Sequence, residues 1–161
     1  MTMDNTREFD QILTALYQHE IAISQLYGAY ADQFPEYEDF WGDLSAEEIN
    51  HASSLEDLSK TVKDGIESAE LGVFSLSSIE ASIERVKKLI AQVEDDDLNP
   101  LDALSYALRI EEGMIENRYF EAFKGDSPEV CNVLSTLAED SRRHADTIRQ
   151  ALHECQNRSE E

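Results

Sequence analysis

The spacing of hydrophobic residues restricts the fold of this chain more than any other feature. Hydrophobic side chains recur at intervals of three and four along almost the whole sequence, which contains only 3 prolines and 6 glycines in 161 residues. That spacing is typical of one face of an α-helix, and no alternating pattern of a β-strand competes with it. The sequence therefore predicts an all-α protein, and its length predicts a single domain over residues 1–161.

Proline, glycine and capping signals divide the pattern into four long helices and a short one. Asn99-Pro100 and Ser127-Pro128 each combine an N-cap residue with a proline in the first helical turn, which marks a helix start. The first two and the last two long helices are expected to form antiparallel hairpins, and a long crossover that carries the short helix links them. This order is the ferritin-like four-helix bundle topology. The predicted ranges are about 4–33, 36–62, 78–93, 100–124 and 128–154.

The charge of the chain argues against several classes of partner. Acidic residues outnumber basic residues by 35 to 13, which gives a formal net charge of -22 and disfavours nucleic acid and anionic membranes. No apolar run approaches the roughly 18 residues of a membrane span, and the acidic start does not resemble a signal peptide, so a soluble cytoplasmic protein is predicted. Cys131 and Cys155 fit no zinc or redox motif and are expected to be reduced.

Several charged residues fall on helix faces that are otherwise apolar. Glu20 lies between Leu16 and Ile23 in the apolar stripe of the first helix. Glu48 and His51 share the inner face of the second helix because they are three residues apart. An ionised carboxylate inside a core costs several kcal/mol unless it is paired or binds metal. Several such groups together predict a shared cation.

The second half of the sequence repeats this arrangement. In the third helix, Glu112 precedes a tyrosine by seven residues, as Glu20 does in the first. In the fourth helix, AEDSRRHA at 138–145 can be aligned with SAEEINHA of the second helix, and this alignment pairs His144 with His51. One glutamate from each of two helices and a Glu-x-x-His from each of the other two form the constellation that holds two iron or manganese ions in a helix bundle.

On these residues the chain resembles the rubrerythrin group of the ferritin-like superfamily, over roughly residues 5–154. The resemblance implies a non-haem di-iron centre that reduces hydrogen peroxide or dioxygen, with no catalytic residue beyond the metal ligands. The tyrosines are core residues whose hydroxyls can hydrogen-bond ligating carboxylates. The candidate metal ligands are Glu20, Glu48, His51, Glu111, Glu112, Glu116 and His144, and the tyrosines are Tyr27 and Tyr119.

Two departures from the family pattern change these expectations. The chain has no paired Cys-x-x-Cys motifs of a rubredoxin-like domain, so electrons must come from an external donor such as a separate rubredoxin. Ser141 stands three residues before His144, where the family pattern has a glutamate. Serine is short and carries no charge, so the second iron ion is expected to bind more weakly. Asp140 and the additional third-helix glutamates are candidates to supply the missing charge.

Three classes of function stay open. The carboxylate and imidazole ligands suit iron, and also manganese or zinc. A di-iron oxidoreductase is the favoured class, ahead of an iron-binding or ferroxidase protein and of a metal-depleted structural or partner-binding bundle. A homodimer formed through the short helix 78–93 is the expected assembly. His19 and His153 are expected to face solvent or a subunit contact.

Overall fold

Five α-helices make up most of the structure. The structure, a computed structural model, describes the backbone of residues 3–62, 69–71, 76–95, 98–116, 123–125 and 128–159, and the side chains of 7–61, 76–95, 98–114 and 128–159. The prediction of a helical protein is confirmed, and the short helix lies between the second and fourth helices as expected. The helices are α1 (Met3–Gln33), α2 (Glu38–Val62), α3 (Leu76–Glu94), α4 (Pro100–Glu116) and α5 (Pro128–Ser159).

The observed helix starts follow the local signals in the sequence. A single 3-10 turn, Pro35–Tyr37, separates α1 from α2. At the start of α4, the side-chain oxygen Oδ1 of Asn99 accepts a 3.0 Å hydrogen bond from the backbone N–H of Asp102. This is the N-cap predicted from Asn99-Pro100, and it satisfies one of the backbone donors that a helix start leaves without a partner.

The predicted end of the third long helix near Lys124 is wrong. The described part of α4 ends at Glu116, and Phe123–Gly125 forms a short strand, β2. This strand pairs antiparallel with β1 (Ala69–Leu71), and Ala69 lies opposite Gly125. The periodicity of the sequence could not predict this pairing, because the backbone partner of β2 lies in a segment more than fifty residues away.

The helices pack around a shared core. Helix α1 packs along α2 and α3, α4 packs along α5, and α2 meets α5. Ser24 and Ser45 exchange hydrogen bonds between α1 and α2, each hydroxyl donating to the other residue's backbone carbonyl at 3.0 and 2.9 Å. Small side chains at this contact let the two helices approach closely, which brings the acidic residues of their inner faces together. No helix in the described part of the chain is long and apolar enough to cross a membrane.

His19 lies inside the chain, so the expectation that it faces solvent or a subunit contact is wrong. It is fully buried, and its Nε2 lies 2.8 Å from the hydroxyl of Ser82 on α3. Helix α3 covers this side of α1, which the pattern of α1 alone does not reveal. His153, in contrast, is exposed as expected.

The burial of His19 predicts a dependence of stability on pH. Burial lowers the pKa of His19 to about 4, whereas an unfolded histidine has a pKa of about 6.5. The contribution of His19 to the free energy of unfolding is therefore fully present above about pH 6.5. It is lost as the pH falls toward 4, because in that interval only the unfolded chain takes up the proton. Between pH 7.5 and pH 5, this effect should lower the free energy of unfolding of the metal-free protein by about 2 kcal/mol, as measured by urea titration. The variant His19→Gln should lack this part of the decrease. His153→Gln is the matched control, and an equal loss in both variants would contradict the prediction.

Candidate metal centre

Five of the predicted ligands meet inside the protein. Glu20 comes from α1, Glu48 and His51 from α2, Glu111 from α4 and His144 from α5, and none of these residues is more than 4% exposed. They form two groups, Glu20–Glu48–His51 and Glu48–Glu111–His144, and the candidate ligand atoms of each group lie within 4.8 Å of one another. Each group can hold a metal ion.

Glu48 is the centre of the arrangement because the two groups share it. Its Oε2 lies 3.0 Å from Nδ1 of His51, and its Oε1 lies 2.8 Å from Nδ1 of His144. The two imidazole rings stack with their centroids 5.4 Å apart. One carboxylate thus faces both histidines, and the two candidate ion positions are neighbours.

Several polar atoms of this cluster have no hydrogen-bond partner in the described part of the chain. Nδ1 of His144 is close to Glu48 but is not aligned for a hydrogen bond with it. Buried polar groups in proteins are almost always hydrogen-bonded, so a concentration of unpartnered atoms in one place is unusual. Oxygen and imidazole nitrogen atoms that converge without donors are suited to bind a cation. The atoms are Oε1 and Oε2 of Glu20, Oε1 of Glu48, Oε2 of Glu111 and Nδ1 of His144.

A second pair of carboxylates holds the outer nitrogen of each histidine. Nε2 of His51 lies 3.0 Å from Oδ2 of Asp140, and Nε2 of His144 lies 2.8 Å from Oε2 of Glu47. Arg143 hydrogen-bonds both of these carboxylates. An Nε2–H that donates to a carboxylate fixes the ring orientation and leaves Nδ1 as the atom available to a metal.

The sequence contains a signal for these outer contacts. Glu47 and Asp140 each stand four residues before the histidine of their own helix, and they occupy equivalent positions in the alignment of the two repeats. Each pairs with the histidine of the other helix, so the contact needs the packing of α2 on α5. From the sequence alone, Asp140 is expected only as a substitute for the missing carboxylate at position 141.

Helix α4 contributes Glu111 rather than Glu112. The Glu112 side chain is 41% exposed and pairs with Arg149 at 2.8 Å, so the expectation that it faces inward is wrong. Leu101 and Leu108 belong to the apolar stripe that the sequence predicts for this helix, but both are only half-buried. The inner face is centred one residue earlier, on Ala103, Leu104, Ala107 and Glu111.

Two tyrosines and a glutamate complete the set named from sequence. The hydroxyl of Tyr27 donates a 2.6 Å hydrogen bond to Oε1 of Glu111. This bond orients a candidate ligand from outside the cluster. The side chains of Glu116 and Tyr119 lie outside the described residues.

Ser141 lies on the inner face of α5, one turn before His144. Only 2% of the residue is exposed, and its hydroxyl has no hydrogen-bond partner among the described residues. The position therefore points inward, as the alignment of the repeats predicts, but it supplies no negative charge.

The electrostatics of the cluster show how it balances charge without a cation. Burial, and next the negative charge of Glu48, raise the pKa of Glu20 well above its usual range and the pKa of Glu111 to about 7. Burial opposes ionisation of His144, but Glu111 and Glu48 outweigh it and raise the pKa of His144 to about 11. Burial opposes ionisation of Glu48 as well, but His144 and His51 outweigh it and hold the pKa of Glu48 below its usual range. In the metal-free protein the charge of Glu48 is thus balanced by the histidines, and a metal ion must displace protons from His144 and from the carboxylates whose pKa is raised.

A cavity on the α2–α5 face reaches one of the histidines. Its volume is about 310 Å³, and His51 and Asp140 line it together with polar residues such as Asn50 and Ser54. A small polar molecule can therefore approach His51 from the surface.

No family model, curated protein or solved structure matches the chain.

Proposed function

We propose that this chain is a ferritin-like protein of the rubrerythrin type, which binds two iron ions and reduces hydrogen peroxide or dioxygen. The observation that carries the proposal is the pair of buried ligand groups that share Glu48. When bound, reduced iron supplies the electrons for such a reaction, and an external donor such as a rubredoxin restores them. The cavity beside His51 admits a small oxidant and is of modest size, which favours peroxide or dioxygen over a bulky substrate.

The residues of the chain divide into those that hold the ions and those that orient the ligands. Glu20, Glu48 and His51 are proposed to hold one ion, and Glu111 and His144 hold the other with Glu48. The outer carboxylates and Tyr27 keep these side chains in position. Together with the outer carboxylates of Glu47 and Asp140, the three inner carboxylates carry five negative charges, which balance the four positive charges of two divalent ions and the one of Arg143.

Two other classes of function each have an observation in their favour. The net charge of -22 attracts cations to the surface, which suits an iron-binding or ferroxidase protein. The histidine–carboxylate contacts balance charge without metal, which suits a structural bundle. Peroxide consumption by the iron-loaded protein with an external donor, compared with oxidation of added ferrous iron, separates the favoured function from a ferroxidase.

The difference between Glu111 and Glu112 provides the test of metal binding. Glu111→Gln should lower the iron content to about half, because it removes a carboxylate from one of the two ligand groups. Glu112→Gln removes the same charge from the next residue, which pairs with Arg149 instead, and should leave the iron content unchanged. Elemental analysis of both variants after anaerobic loading and desalting measures this difference. Equal iron content in the two variants would mean that Glu111 is not a ligand, and a lack of bound iron in the unsubstituted protein as well would favour the structural bundle.

A further inference from the structure

A groove between α3 and α4 lies on a different part of the surface from the candidate metal centre. Its volume is about 300 Å³, which is at the lower end of the range of small-molecule sites. Val86 and Leu89 of α3 and Tyr106 and Ile110 of α4 give it an apolar wall, and Val86 is almost completely buried. The groove therefore suits a ligand with an apolar part.

The charge of the groove is opposite to that of the protein. Arg85, Lys88 and Arg109 line it, and none of the described lining residues is acidic, although the chain has 35 acidic and 13 basic residues. None of these three bases has an ion-pair partner among the described residues, whereas Lys87 and Arg149 lie within ion-pair distance of carboxylates. These three cations are uncompensated by any described residue, and beside an apolar wall they attract an anion.

Gly113 of α4 is one of the residues that line the groove. It lies inside α4, where glycine lowers helix stability by about 1 kcal/mol relative to alanine. A Cβ atom at this position would meet no described atom from outside its own helix within 4 Å, and the backbone has no positive φ angle that requires glycine. Glycine at this position leaves room in the groove, because a larger side chain at residue 113 would extend into it.

We propose that the groove binds a small monocarboxylate with an unbranched hydrocarbon chain. The hydrocarbon chain packs on the apolar wall, and Arg85 and Arg109 bind the carboxylate, for which the guanidinium group is the best-suited side chain. A volume of about 300 Å³ fits such a molecule better than a helix or strand of a partner protein. The site uses none of the candidate metal ligands and does not depend on the proposed reaction.

Calorimetric titration of the full chain with octanoate tests this proposal. We expect binding of one octanoate, with octanol at least about tenfold weaker because it lacks the charge. The double variant Arg85→Gln/Arg109→Gln should weaken octanoate binding by about tenfold or more. The control Lys87→Gln/Arg149→Gln removes the same charge outside the groove and should leave the affinity unchanged.

A steric variant makes the test independent of charge. Gly113→Leu should abolish octanoate binding while the thermal stability stays equal or rises, because leucine favours the helix more than glycine does. Equal binding of octanol and octanoate, or equal effects of the two double variants, would overturn the proposal. If octanoate does not bind and Gly113→Leu instead converts a dimer into a monomer in analytical ultracentrifugation, the groove is covered by a second copy of the chain and the proposal fails.

Discussion

Glu48→Gln is expected to remove nearly all bound iron while the protein stays helical. The two buried ligand groups share this carboxylate, and each of its oxygens faces the Nδ1 atom of a different histidine. An amide of the same shape carries no negative charge and is a poor ligand, so both ions lose a ligand at once. Iron content by elemental analysis and helix content by circular dichroism measure the outcome.

Two further variants make this result specific. Glu56→Gln is the matched control, because Glu56 lies on the same helix but is exposed, with Lys60 at 3.8 Å. It should retain the full iron content. Glu20→Gln removes a carboxylate from one group only and should retain about half of the iron. If Glu48→Gln bound as much iron as Glu56→Gln, Glu48 would not be a ligand.

Ser141→Glu is expected to have opposite effects in the absence and presence of metal. The position is buried one turn before His144, and that histidine already faces the carboxylates of Glu48 and Glu111, so an added carboxylate would be a further buried negative charge without a cation of its own among the described residues. We expect it to lower the free energy of unfolding by on the order of 3 kcal/mol without metal. Bound ferrous iron supplies the missing counter-charge, so the stability should recover on loading, and iron binding to the second position should become tighter.

Ser141→Gln separates charge from size in this experiment. Glutamine is as large as glutamate and strains the core equally, but it cannot neutralise a cation. Thermal unfolding of both variants should show recovery with iron for Ser141→Glu and no recovery for Ser141→Gln. Identical behaviour of the two variants would mean that position 141 does not face a metal site.

Local signals allowed much of the fold to be predicted. Pro35 and the Asn99 N-cap mark real helix boundaries, because proline and capping residues act within one turn of the chain. The strand at Phe123–Gly125 could not be predicted, because its partner residues, Ala69–Leu71, are distant in sequence. The burial of His19 depends on how α3 lies across α1, which the pattern of a single helix does not contain.

The site could be predicted where the repeat fixed the helix register. His51 and His144 are both buried, as the alignment of their segments indicated. The wrong prediction that Glu112 faces inward has a geometric cause. Successive residues of a helix point in directions about 100° apart. The half-buried leucines of α4 do not define the centre of its inner face to better than one residue. Contacts of the histidines with Glu47 and Asp140 join different helices and need the tertiary structure.

Anomalous diffraction at the iron edge, from crystals loaded anaerobically with ferrous iron, tests the central claim most directly. A net charge of -22 also collects iron at surface carboxylates, so iron content alone does not locate the site. We predict two neighbouring peaks inside the bundle, one beside Glu20 and His51 and the other beside Glu111 and His144, with Glu48 between them. Iron confined to surface carboxylates, with none beside Glu48, would contradict the account.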